Sequence, residues 1–311
     1  MKKKMLGLSL AFAIAGIAMA GERSLSDLSK QADEAVRAAQ AATAASSQAD
    51  AYRTLRNKAA SDGRADIVEW LKSQGANMDG SAGGAVPPVH AAARDGNTDV
   101  LEWLKSQGVD LDARSGSGDT AMHAAAEAGN VGAMDWLRSQ GAELNPITPT
   151  GDTPAHRAAA SGNADVLEWL KGQGVKVDSR NIAGDTPVHT AARSGNTEIL
   201  DWLRKQGADV TDSNYKGQTA LHQAARSDNA DVMEWLREQG VDVNARDNDG
   251  AHAVHEAARG GSGDTLRWLQ EQGVDVGNTV DNSGRTAAQH AEEAGQDNAA
   301  AWLNSLLEGS K

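Results

Sequence analysis

The 311-residue chain carries a formal net charge of −13, only 4% aromatic residues and no cysteine. Without cysteine it can form no disulfide, thiolate nucleophile, Cys-ligated metal site or Cys-linked lipid anchor. The acidic balance argues against nucleic acid as a partner, because phosphate binding requires a surplus of neutralising cations.

Met1 to Ala20 begins with Lys2, Lys3 and Lys4, continues as an apolar run from Met5 to Ile17, and ends in small residues at Ala18 and Ala20. This three-part pattern predicts a secretory signal over 1–20, cleaved between Ala20 and Gly21. The run falls short of the roughly 20 residues that span a bilayer, and no later stretch reaches that length, so the mature chain is expected not to be membrane-embedded. Residues 21–50 are rich in alanine, with Leu25, Leu28, Ala32, Ala35, Val36 and Ala39 at helical spacing. They predict an N-terminal helix that caps the chain from residue 51 onward.

From residue 51 to 308 the chain repeats itself. Trp70, Trp103, Trp136, Trp169, Trp202, Trp235 and Trp268 fall 33 residues apart, and Trp302 follows after 34. A full unit opens with a turn containing Gly and Asp and a short helix. A Gly-Asn break comes next, then a second helix such as Val166-Leu167-Glu168-Trp169-Leu170, closed by Gln-Gly. Thr153-Pro154 and Thr186-Pro187 fit helix starts, and Gly174 and Gly207 fit the left-handed residue past a helix end. The segments after these glycines read as short extended fingers. Eight such units, the first without a finger, predict an all-α stacked array whose faces are buried only against neighbouring units.

The stretch GDTPVHTAARSGN from Gly184 to Asn196, with its 33-residue step, resembles the ankyrin repeat. The Thr-Pro-x-His signature is complete at Thr153 to His156 and at Thr186 to His189. Ala replaces Pro in Thr120 to His123 and Thr219 to His222, and His252 replaces Thr ahead of His255. Asn57 and Gln289 occupy the His position in the first and last units. The resemblance implies an ankyrin-repeat solenoid of about eight helix-turn-helix units with short β-hairpin-like fingers, preceded by the N-terminal helix.

His90, His123, His156, His189, His222 and His255 form a ladder that invites a metal reading. Adjacent stacked helices lie about 8 to 10 Å apart, whereas two imidazoles sharing a zinc ion each need about 2.0 to 2.1 Å to the metal. Equivalent histidines therefore cannot share an ion. The resemblance implies a structural role for them, bridging finger and helix backbone. No nucleophile elbow, metalloprotease helix or phosphate loop occurs, so neither catalysis nor a cofactor is expected. The tryptophans share an apolar helical face with residues such as Val68, Leu71, Ile199 and Leu203, which places them in the interlayer core. An exposed aromatic ladder would invite aggregation.

The resemblance also implies that partners dock on a concave side made of fingers and first helices. By register, Arg94, Arg193, Arg226 and Arg259 lie near first-helix ends on that side, and Arg114, Arg180 and Arg246 come from finger strands. Acids such as Glu168, Asp201 and Glu234 sit on the second helices. The arginine row either bridges to Asp119, Asp152, Asp185 or Asp249 in nearby fingers or receives an acidic protein partner. The predicted function is a monomeric, non-enzymatic protein–protein interaction scaffold in the bacterial periplasm. The alternatives are an inhibitor or immunity protein for a toxin or hydrolase, or a secreted effector acting on host or competitor proteins.

Overall fold

The computed structural model describes residues 45–78 and 86–308. The expected signal over 1–20 and residues 21–44 of the expected N-terminal helix lie outside the described residues. In chain order the described helices are α1 (Ala45–Ser61), α2 (Ala65–Ser73), α3 (Pro88–Arg94), α4 (Thr98–Ser106), α5 (Ala121–Ala128), α6 (Val131–Ser139), α7 (Pro154–Ser161) and α8 (Ala164–Gly172). They continue as α9 (Pro187–Ser194), α10 (Thr197–Lys205), α11 (Ala220–Arg226), α12 (Ala230–Glu238), α13 (Ala253–Gly260), α14 (Gly263–Glu271), α15 (Ala287–Glu293) and α16 (Asp297–Glu308). The fold is all-helical, and among the described residues there is no β-strand. Two compact units emerge, one of residues 45–125 with 132–144, the other of 126–131 with 145–308, the undescribed 79–85 aside.

Each odd-numbered helix opens a repeat and each even-numbered helix closes it. In the C-terminal unit the first helices pack on one another along the series α7, α9, α11, α13, α15, while the second helices α8, α10, α12 and α14 touch more sparsely. The cause lies in side-chain size. Ala158-Ala159, Ala191-Ala192, Ala224-Ala225 and Ala257-Ala258 are fully buried, so the first helices approach closely. The second helices bring Leu167 and Leu170, Ile199 and Leu203, Met233 and Leu236 into the layer, all buried to within 1% exposure. Each such side chain contributes about 1.5–3 kcal/mol by leaving water.

The tryptophans depart from the core placement expected of them. All eight are half-buried, at the margin of the layer. The wider spacing of second helices leaves a gap that an indole bridges with its N–H end turned outward. Trp202 Nε1 donates to Glu168 Oε2 on the preceding second helix at 3.2 Å, and Trp268 Nε1 to Glu234 Oε2 at 3.1 Å. In the N-terminal unit the Lys72 ammonium lies 6.0 Å from the centre of the Trp103 ring.

Helix starts follow the expected chemistry. At Thr153, Thr186 and Thr219 the extended N-cap residue presents its backbone N–H to Nδ1 of the histidine three residues on, at 3.1, 3.2 and 3.2 Å. The histidine thereby satisfies a donor that the helix itself leaves open. At the far end Gly162 and Gly195 adopt left-handed φ of 78° and 81°. The asparagines that precede the second helices do not cap them. Asn196 Nδ2 instead donates to the carbonyls of Ala159 and Ala160, and Asn229 Nδ2 to those of Ala192 and Arg193, closing the last turn of the previous repeat's first helix.

The fingers are tight hairpins with isolated bridges, such as Ser213 with Thr219 and Val280 with Thr286. In one finger Asn181 N–H donates to the Asp185 carbonyl and Gly184 N–H to the Asn181 carbonyl, both at 2.9 Å. Adjacent fingers are joined by main-chain bonds: Ile182 N–H to Thr150 O, Tyr215 N–H to Ala183 O, and Asn248 N–H to Lys216 O, at 2.9–3.0 Å.

Candidate functional site

Ladder histidines connect the two halves of this frame. His156, His189 and His222 place Nε2 3.1, 3.1 and 3.3 Å from the carbonyls of Asp185, Gln218 and Ala251 in the next finger. Burial lowers the pKa of each, and the carbonyl contact offsets only part of that effect. These rings are struts between repeats. Among the described residues no group of three His, Cys, Asp or Glu could hold a metal ion.

The last two units break the pattern. His255 Nε2 is buried and reaches no well-formed hydrogen bond. Its ring stacks on His252 at 5.6 Å and meets the edge of His290 at 5.1 Å. Burial, reinforced by His290 and His252, pushes His255 down to about 4. Arg259 Nε donates to His290 Nδ1 at 3.3 Å, which leaves His290 Nε2 to donate to Asp281 Oδ2 at 2.9 Å. Burial opposes ionisation of Asp281. It is outweighed by the Arg285 and Ser283 N–H groups, the His290 ring and the Arg285 guanidinium, which hold the carboxyl well below the usual range.

The sequence-predicted arginines divide by location. Arg94 ends α3 and is exposed, and Arg114 donates to the Gly118 carbonyl within its own finger at 2.9 Å. Arg180 donates to the carbonyls of Gly184 and Ser213 at 2.7 and 2.8 Å, pairs with Asp212, and lies 5.9 Å from the centre of the Tyr215 ring. Arg246 donates to Asn282 Oδ1 at 3.0 Å. Arg180 and Arg246 thus fasten neighbouring tips together.

Arg193, Arg226 and Arg259 come together along the first helices of the C-terminal unit. Arg193 pairs with Asp185 at 2.7 Å and donates through Nε to Gln223 Oε1 at 3.0 Å. Arg259 pairs with Glu256, and Arg226 stands 3.5 Å from the other Glu256 oxygen. Gln218 joins the two halves, donating to Glu256 at 3.3 Å and accepting from Gln223 at 3.3 Å. Burial would raise the Asp185 pKa, but the Asn214 amide and the Arg193 guanidinium outweigh it and leave it lowered. Arg193 thus meets Asp185, one of the finger aspartates expected to bridge the row, while Arg226 and Arg259 turn to Glu256.

Glu256 and the two glutamines escaped the sequence reading. The position of Glu256 in the repeat is Thr190 and Gln223 in the two preceding units. A lone carboxylate in a column that elsewhere holds Lys58, Ala91, Ala124 and Arg157 was the available signal. It is 2% exposed in the structure, and a buried carboxylate of this kind requires donors.

Paired short helices, buried histidine struts and bonded fingers define a helical repeat array. A family model described as ankyrin repeats in three copies matches residues 56–148, 89–181, 155–247 and 239–308. The chain belongs to the ankyrin-repeat family. Comparison with curated proteins finds no match. Ankyrin repeats mark a protein–protein interaction scaffold, typically a non-enzymatic one. Among the described residues no helix is long and apolar enough to cross a membrane.

Proposed function

We propose that this protein is an exported, monomeric, non-enzymatic scaffold that docks an acidic protein partner on the face formed by its fingers and first helices. The single observation that carries the reading is the polar network of the C-terminal unit. There buried Asp185 and Glu256 fix Arg193 and Arg259, while the Arg226 side chain remains 61% exposed. Arginines held on a rigid frame give planar, bidentate contacts to carboxylates with little ordering left to do on binding. The lysine-led, apolar and small-residue pattern of Met1 to Ala20 supports export to the periplasm.

Affinity capture from periplasmic extract with the wild type and with an Arg193→Glu/Arg226→Glu variant tests the reading. A partner retained by the wild type and lost by the charge-reversed variant is the expected result. Arg259 is left intact because it neutralises the buried Glu256. Equal retention by both proteins would remove this face from the function.

A further inference from the structure

A cavity of about 400 Å³ opens between neighbouring fingers and the helices α9, α11 and α13. Its ionised lining is Arg193, Lys216 and Arg226 against Asp185 and Glu256. Both carboxylates are already served, Asp185 by Asn214 and Arg193, Glu256 by Arg259 and Gln218. The Arg226 contact with Glu256 is the longest of these ion pairs, at 3.5 Å, so its guanidinium keeps donors to spare. Lys216 is exposed on the fingertip and makes no ion pair among the described residues. At the back, a Cβ on Gly260 would lie 2.0 Å from the Arg226 carbonyl oxygen, so only glycine lets α13 come this close to the end of α11.

Two apolar side chains lie at the lip. Ile182 is 70% exposed and Tyr215 65%, and each is adjacent in sequence to a lining residue, Ala183 and Lys216. The main-chain bond from Tyr215 N–H to Ala183 O ties these two tips together. A fixed pocket with one surplus positive charge thus borders an exposed apolar shelf.

We propose that this cavity is a subsite for one acidic side chain of a partner's extended segment. Arg226 and Lys216 grip the carboxylate, and the apolar residue that follows it in the partner rests on Ile182 and Tyr215. The inference rests on the docking-face reading above and adds the partner's local chemistry to it. A carboxylate fits better than a phosphate. The pocket has a surplus of one cation, and its two buried carboxylates repel a second negative charge.

The chain's two tyrosines, Tyr52 and Tyr215, make fluorine NMR a direct reporter once the full chain is labelled with 3-fluorotyrosine. The probe is the acetylated, amidated peptide Gly-Ser-Glu-Leu-Gly-Ser. Titration is expected to shift the Tyr215 resonance saturably and leave that of Tyr52 in place. The analogue with Lys for Glu and inorganic phosphate should do neither. Arg226→Glu/Lys216→Glu should weaken the peptide about tenfold or more while circular dichroism stays unchanged. Absence of a saturable shift, an equal response to the lysine peptide, or undiminished binding by the double variant would each overturn the subsite. If the native partner still depends on Arg193 and Arg226 when the peptide fails, the docking face stands and only the subsite falls. Capture indifferent to those charges removes the face itself, whatever the peptide does.

Discussion

Trp202 donates its indole N–H to Glu168 one repeat back, at 3.2 Å, and so ties α10 to α8 from the outer side of the layer. The ring is half-buried, which sets its energetic weight below that of a core tryptophan. Trp202→Ala is expected to lower unfolding free energy by about 2 kcal/mol, under the roughly 3–5 kcal/mol typical of full burial. Glu168→Gln, which alters only an exposed contact, is expected to change it by less than about 0.5 kcal/mol. Urea denaturation followed by tryptophan fluorescence measures both. A loss of core size at Trp202 would contradict the outer placement.

The backward reach of Asn196 predicts damage in a repeat it does not belong to. Its amide serves the carbonyls of Ala159 and Ala160, so Asn196→Ala leaves two acceptors at the end of α7 without their partner. A cost of about 1–2 kcal/mol is expected, with faster amide hydrogen exchange at the end of α7 than at the start of α10. The opposite order of exchange would show that Asn196 acts as an ordinary helix cap.

Acid should weaken the fold before the aspartates are affected. Buried His90, His156, His189, His222 and His255 all have pKa values lowered from 6.5, chiefly by burial. The unfolded chain therefore binds more protons than the folded one below pH 6.5, and stability falls as pH drops. For His255, at about 4, the loss runs from pH 6.5 down to pH 4. By linkage it amounts to about 2 kcal/mol at pH 5. Urea midpoints at pH 7.5 and pH 5 measure the effect, and His255→Gln should flatten the dependence. A variant with an unchanged pH slope would assign the effect elsewhere.

Two glycines in one repeat should differ when changed to alanine. Gly184 has φ +81°, and a Cβ there would lie 2.6 Å from the Tyr215 backbone nitrogen. Gly207 has φ +92° with open space around it. Gly207→Ala meets only backbone strain, about 1 kcal/mol. Gly184→Ala adds a clash in the finger ladder and should cost about 2 kcal/mol or more. Thermal unfolding of the two variants decides it, and equal costs would argue that the fingers yield freely.

The repeat architecture was legible in the sequence because period, caps and breaks coincide. Trp202 marks its position in every unit, His189 and Gly207 mark theirs in all the inner units, and Thr186 announces a helix start by its own chemistry. Placement of the tryptophans was not legible. Helical periodicity assigns a residue to a face, whereas the distance between second helices is set by the alanines of the first. The arginine row was legible as register but not as pairing. Arg193 and Arg180 look alike in sequence, yet one meets a buried aspartate on a helix face and the other fastens two fingertips. Glu256 stayed hidden because reading a repeat directs attention to what recurs, and Glu256 occurs once in its column.

The asparagines that precede the second helices also bear on how such an array can grow. Because Asn196 completes α7 in the preceding repeat and Asn229 likewise completes α9, the self-sufficient block is out of phase with the helix pair. A 33-residue stretch such as 187–219, copied in tandem, carries one amide for its predecessor and one open pair of carbonyls for its successor. Duplication of such a stretch therefore regenerates a sound junction. Lengthening the chain requires no invention at the seam.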